Sequence, residues 1–151
     1  MSADESFFKK PEGVKVGISA GGVIVRKSEG NTLIGLTRGS SDYHDYTLPK
    51  GHAEGAETLE QTAKREIFEE VGIKDLKLIT GLGKTERLSF HKDEWKITTY
   101  FLFETNQVES IESGDKGFNE IEWFEINDLP EIFWPEQKEM IVKAITALRS
   151  I

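Results

Sequence analysis

Glu69 and Glu70 follow Glu66 by three and four residues in the stretch Gly51 to Ile73, GHAEGAETLEQTAKREIFEEVGI. On a helix, a rotation of about 100° per residue puts the three carboxylates within roughly 100° of one another, on one face. Like charges at these spacings ordinarily weaken a helix. A glutamate-rich face is commonly a plain solvated surface, so the three residues alone leave two readings open. The chemical one is a metal site: hard divalent cations such as Mg²⁺ take oxygen ligands, and clustered carboxylates offer both ligands and countercharge. Leu59, Ala63, Ile67 and Val71 recur every four residues beside this face, so the carboxylates lie at the edge of an apolar stripe. Arg65 precedes Glu69 by four residues, within reach of an ion pair that would orient it.

The wider pattern decides between the readings. Gly51, Glu57, Arg65, Glu66, Glu69, Glu70 and Gly72, with apolar Ile67 and Ile73, fit G-x5-E-x7-R-E-U-x-E-E-x-G-U, where U is aliphatic. At average residue usage the seven fixed positions would coincide by chance on the order of 10⁻⁸ times per window. The segment resembles a Nudix box. The resemblance implies an α/β Nudix fold, a mixed β-sheet sandwiched between α-helices. It also implies hydrolysis of a nucleoside diphosphate linked to another moiety, with Mg²⁺ or Mn²⁺ as cofactor. Carried over by position, Glu66, Glu69 and Glu70 are metal ligands, one of them able to assist the attacking water. Glu57 joins through the metal's water shell or ties the loop to the helix, Arg65 orients a glutamate, and the backbone carbonyl of Lys50 is a further ligand. Members of the family often add a carboxylate from a later loop or strand. Glu120 is the candidate here and Glu122 the runner-up, against the plain reading of a surface glutamate at a strand start.

Leu48-Pro49-Lys50-Gly51-His52 resembles the form found in Nudix enzymes that cleave dinucleoside polyphosphates such as diadenosine tetraphosphate, and in those acting on diphosphoinositol polyphosphates. Lys96 to Leu102 is similar to the first group, where a tyrosine stacks on adenine. Tyr100 fits that role or a place in the core. Arg38, Lys50, Lys84, Arg87 and Lys96 are the cations expected near the substrate's phosphates, with Lys50 next to the box. Trp134 caps the core or flanks a base. Tyr43, Tyr46 and His52 are candidates to line the pocket. His44, His52 and His91 lack zinc-ligand spacing.

These residues need a frame. Lys15 to Lys27 and Thr32 to Thr37 read as strands joined by a turn, and Gly39 to Gly55 as a loop of functional length. Thr58 and Gln61 form a capping box for a helix ending at Gly72. Leu76 to Leu82, Leu88 to Phe90, Ile97 to Glu104 and Glu120 to Ile126 read as further strands. Pro135 opens an amphipathic helix through Leu148. Residues 1–13 read as a tail, and 14–151 as a single domain.

The 151 residues carry 19 Lys+Arg against 27 Asp+Glu, a net charge of −8. That balance argues against nucleic-acid backbone or an anionic membrane as partner. A small phosphorylated substrate remains open, because a bound metal reverses the local sign. There is no Cys, so no disulfide framework, thiolate site or Cys nucleophile. A cytoplasmic enzyme acting on a small-molecule nucleotide is the expectation. Its competitors are a nucleoside triphosphate pyrophosphatase, a diphosphoinositol polyphosphate phosphohydrolase and a non-catalytic ligand-sensing module.

Overall fold

The computed structural model describes residues 2–38, 43 and 45–151; His44 and residues 39–42 of the long loop lie outside the described residues. The elements in chain order are β1 (Lys15–Ser28), β2 (Asn31–Arg38), β3 (Tyr46–Thr47), β4 (Lys50–His52), α1 (Leu59–Val71), β5 (Lys77–Leu88), β6 (Glu94–Glu104), β7 (Glu122–Glu125) and α2 (Pro135–Arg149). A short 3-10 turn spans Glu5–Phe8. The sheet runs β3-β2-β1-β6-β5, with β4 added on β1 and β7 on β2. β1 and β6 are parallel, in register from Lys15↔Glu94 to Val25↔Glu104; the other ladders are antiparallel.

Strand alternation explains the two cores. Ile24 and Ala20 of β1 point to one face, where they meet Ala63, Ile67 and Val71 of α1 and Phe103 of β6. Val23 and Val25 point to the other, against Met140, Ile141 and Ala144 of α2 with Tyr100 and Leu102. The mixed sheet is thus closed by one helix on each face. Each large aliphatic side chain buried this way contributes about 1.5–3 kcal/mol.

Local signals set the ends of α1. The Thr58 hydroxyl accepts from Gln61 N while the Gln61 side chain accepts from Thr58 N, a capping box. Gly72 takes φ 68°, the left-handed conformation that favours glycine.

Four expectations change, the first being that the stretch read as a loop from Gly39 to Gly55 contains β3 and β4. The polar stretch between Leu82 and Leu88 continues the strand, so β5 runs unbroken from Lys77 to Leu88, with Ser89 and Phe90 beyond its end. Pairing of Lys84 to Leu88 with Thr99 to Trp95 is made by backbone, so it needs no apolar side chains, and register shifts at Leu78/Thr80 and Gly81/Gly83 absorb the irregular stretch. β7 is shorter than the run from Glu120 to Ile126. Residues 2–8 do not trail as a tail. Ala3 N donates to Phe133 O at 3.0 Å, and Phe7 is buried with its ring 5.3 Å from that of Trp134. Among the described residues no helix is long and apolar enough to cross a membrane.

Candidate active site

Arg65 organises the glutamate helix. Its Nε donates to Glu57 Oε2 at 2.6 Å and Nη2 to Glu57 Oε1 at 3.0 Å. Nη1 donates to Glu66 Oε1 at 2.8 Å and to Glu69 Oε2 at 2.9 Å, and Nη2 also reaches the carbonyl of His52 at 2.8 Å. One guanidinium therefore holds two carboxylates of the helix and the preceding loop together. Glu57 is saturated by these bonds and by Glu54 N and the Thr62 hydroxyl, which makes it a tie between loop and helix. The hydrogen bond from Arg65 pulls its carboxyl down to about 2.

Glu70 faces the other way. Its Oε1 accepts from Lys50 N at 2.7 Å, fastening α1 to β4. Burial pushes the Glu70 carboxyl up to about 7, against the attraction of Lys50, with Glu66 and Asp115 repelling it further. Lys50 is moved the opposite way, first by burial and then by the charges of Lys96 and Arg87. Both residues keep some exposed surface. Glu66 is raised chiefly by burial, while Arg65 opposes and Glu69 and Asp115 add to the rise. The site thus holds more negative charge than its burial favours, the condition a bound cation relieves.

The donor set suits a hard divalent metal: three carboxylates at one end of a helix and the carbonyl of Lys50 in the strand they touch. Among the described residues no three acidic or imidazole groups already converge on one point, because Arg65 Nη1 holds both Glu66 and Glu69. A Cβ at Gly51 would overlap the Glu66 carboxylate, so a side chain fits there only if Glu66 moves.

The loop from Thr105 to Ile121 closes over the end of α1. Ile111 N donates to Gly72 O at 2.9 Å, the Ser113 hydroxyl to Glu69 O at 2.7 Å and Asn119 N to Glu70 O at 2.8 Å. These bonds satisfy carbonyls that a helix end leaves without partners. They bring Asp115 close enough to repel both Glu66 and Glu70. Asp115 is thus the carboxylate of this loop whose charge acts on both glutamates. Glu120 is exposed in a separate hollow with Glu109 and Ser110, and Glu122 is engaged by the Tyr46 hydroxyl at 2.8 Å and by Arg38 at 3.6 Å.

A cavity of about 390 Å³ opens beside Glu70, its walls including Arg38, Tyr43, Lys50, Lys116 and Trp134. The expected cations divide. Arg38 and Lys50 line the cavity, and Lys96 acts electrostatically on Lys50. Lys84 is exposed along another groove, beside Glu86 and Lys143, so it does not join the site. Arg87 is buried, its Nε 2.6 Å from Glu136 Oε2 and its guanidinium 3.2 Å from the Trp134 ring centre. Tyr100 is fully buried in the core around α2, and its hydroxyl accepts from Gln137 Nε2 at 3.0 Å, so no face is left to stack on a base. Trp134 packs in the core, its Nε1 donating to the Tyr43 hydroxyl at 3.1 Å. His52 Nε2 lies 2.9 Å from Glu94 Oε1 and His91 rests edge-on against Phe90. Sequence reasoning missed Asp115 and Lys116. Their one visible signal was an acid–base pair flanked by glycines, Gly114 to Gly117, and such turns are common.

A mixed sheet closed by two helices, one carrying a complete glutamate signature beside a cation-lined cavity, defines the class of the protein. The NUDIX domain model matches residues 16–144, and the chain belongs to the Nudix family as a Nudix hydrolase. An RNA pyrophosphohydrolase of Bartonella henselae is similar at 25% identity, covering 85% of this chain and 87% of its own. The structure of a C. elegans Ap4A hydrolase binary complex superposes with a TM-score of 0.72 at 25% identity, covering 90% of this chain and all of that one. The NUDIX domain of Shewanella oneidensis NrtR, complexed with ADP ribose, shares the fold at 15% identity and a TM-score of 0.70, covering 93% and 94% of the two chains.

Proposed function

We propose that the protein hydrolyses a phosphate anhydride in a nucleotide carrying several phosphates, a dinucleoside polyphosphate such as diadenosine tetraphosphate foremost, in the presence of Mg²⁺ or Mn²⁺. One observation carries the choice. In a chain of net charge −8, the described residues lining the cavity beside Glu70 include the basic side chains Arg38, Lys50 and Lys116 against one carboxylate. Such a wall suits an extended polyanion. The similarity to the C. elegans Ap4A hydrolase supports the same reading.

Glu66, Glu69, Glu70 and the Lys50 carbonyl would hold the metal, which when bound polarises phosphoryl oxygens and lowers the pKa of water. The chain supplies the rest. Arg65 fixes Glu66 and Glu69, a glutamate of the cluster takes the proton of the attacking water, and Arg38 and Lys116 hold phosphates away from the cleavage point. The leaving phosphate departs against the cationic wall.

The Bartonella relative, an RNA pyrophosphohydrolase by name, brings in a second reading, hydrolysis of a phosphate anhydride carried by RNA. Products separate the readings. With Mg²⁺, the enzyme is offered diadenosine tetraphosphate, ATP, dGTP, ADP-ribose, a diphosphoinositol polyphosphate and a 5′-triphosphorylated oligoribonucleotide, and products are resolved by chromatography. ATP and AMP from the tetraphosphate, at the highest kcat/KM of the panel, is the expected result. Fastest turnover of a nucleoside triphosphate to monophosphate and pyrophosphate, or of the RNA end, overturns it. Binding of these compounds with no hydrolysis would make the protein a ligand sensor.

A further inference from the structure

The segment that precedes the glutamate helix is held from both faces of the sheet. Lys50 N donates to Glu70 Oε1 of α1 at 2.7 Å. Two residues earlier, Leu48 N donates to Gln137 Oε1 of α2 at 2.9 Å. Pro49 between them has no N–H, and its carbonyl accepts from Gly22 N of β1 at 3.2 Å. Each polar backbone group so named has one designated partner, supplied by a different element.

Gln137 is built for this task. It lies in the first turn of α2, its N–H on the Trp134 carbonyl at 3.0 Å, and is fully buried, as is Leu48. Its amide orientation is fixed: Leu48 N can only donate, so the amide oxygen faces it, and the amide nitrogen then donates to the Tyr100 hydroxyl at 3.0 Å. Tyr100 is itself locked in the core. The neighbouring Glu136 is anchored by Arg87 at 2.6 Å, so the whole helix start is pinned to the sheet. A buried glutamine is costly unless its amide is satisfied, and both partners here are buried.

We infer that Gln137 is a positioning residue of the active site: by holding Leu48 N it sets the path of residues 48–50, and thereby aims the Lys50 carbonyl at the glutamates of α1. The inference rests on the reading of Lys50 and the glutamates as metal ligands. Groups that orient metal ligands commonly cost about 10–100-fold in metal affinity or activity when removed.

The test is Mn²⁺ binding to the substrate-free protein by calorimetry, with kcat and KM as a second readout. Gln137→Met keeps the bulk and deletes both hydrogen bonds. Gln137→Glu keeps an acceptor for Leu48 N and offers another to the Tyr100 hydroxyl. Tyr100→Phe removes only the bond that does not reach the segment. A positioning role gives at least a tenfold loss of Mn²⁺ affinity and a fall in kcat for Gln137→Met, with both restored to within threefold in Gln137→Glu. Tyr100→Phe then lowers the melting temperature alone. A Gln137→Met protein that melts lower but binds Mn²⁺ as the wild type does overturns the inference. Should Gln137→Met fail to fold, amide exchange in the wild type decides instead: Mg²⁺ should slow exchange of the Leu48 amide at least tenfold, and no change overturns the inference. A wild type that binds no Mn²⁺ would sink the metal reading itself, a failure distinct from either of these.

Discussion

Gly51→Ala isolates the geometry of one glutamate. A Cβ at position 51 would overlap the Glu66 carboxylate and lie 2.6 Å from Glu66 Cγ. Carbon–carbon contacts settle near 3.5 Å and the Glu66 carboxyl carbon would lie nearer than Cγ, so the Glu66 side chain must withdraw by more than about 1 Å. The obstructing atoms belong to a side chain and the backbone at Gly51 is ordinary strand, so the fold accommodates the change. Glu66 then loses its 2.8 Å bond to Arg65, while Arg65 keeps Glu57 and Glu69. A partly exposed pair of this kind is worth at most about 1 kcal/mol. That corresponds to about 2–4 °C in melting temperature for a domain of this size. Activity is far more sensitive, because a displacement of about 1 Å at reacting groups can cost 10²-fold. Two decades in rate are about 2.7 kcal/mol of barrier. The assay pairs calorimetric melting with turnover of diadenosine tetraphosphate at saturating Mg²⁺. The expected outcome is a melting temperature within about 4 °C of wild type and a kcat reduced about 10²-fold. Wild-type kcat would refute the placement of Glu66 at the reaction, and a drop beyond about 10 °C would refute the claim that the clash is local.

Three further outcomes follow from the site. Glu70 titrates near 7 without metal because burial disfavours its charge, so below that pH a cation must displace a proton. Mg²⁺ affinity should therefore rise about tenfold per pH unit up to 7 and level off above it, and Glu70→Gln should flatten that slope in a binding titration. In the metal-free protein the same group acts oppositely on stability: its contribution is full below the ordinary 4.5 and is lost as pH rises through about 7, which melting curves at fixed ionic strength would show. Arg38→Ala and Lys116→Ala should each raise KM for the tetraphosphate about tenfold with kcat within threefold, and shift KM for ADP-ribose less, since they hold substrate and transition state alike. Asp115→Asn should weaken Mg²⁺ affinity about tenfold while Glu120→Gln leaves it within twofold, measured side by side by calorimetry.

Much of this site is local in sequence and was legible there. The helix from its Thr58 cap to Gly72 reads directly, because the capping box, the four-residue apolar repeat and the terminal glycine all act within one segment. The resemblance of Gly51 to Ile73 to the Nudix box named Glu57, Arg65, Glu66, Glu69 and Glu70; one helix with its adjoining loop gathers Glu57, Glu66 and Glu69 around Arg65 and turns Glu70 to Lys50 N. What failed depends on distant pairing. Tyr100 alternates with Thr99 on a strand, and only the docking of α2 settles that its face is the buried one. Glu120 and Asp115 occupy the same loop, and that Asp115 is the one whose charge acts on the glutamates follows from bonds of Ile111, Ser113 and Asn119 to the end of α1, about 40–50 residues away in sequence. Arg87 reads as a free cation until Glu136 and Trp134 enclose it. Gln137 carries no sequence signal at all, since its role exists only where α2 meets the loop before β4.

On the proposed function, the glutamates of α1 carry out metal-dependent anhydride hydrolysis. The most direct test is the Mg²⁺-dependent turnover of diadenosine tetraphosphate by Glu70→Gln beside wild type, with the melting temperature of each. Replacing a buried carboxylate that resists its own charge should leave the fold at least as stable at pH 8, and turnover should fall at least about 10²-fold. A folded Glu70→Gln protein that turns over within a few fold of wild type would contradict the account.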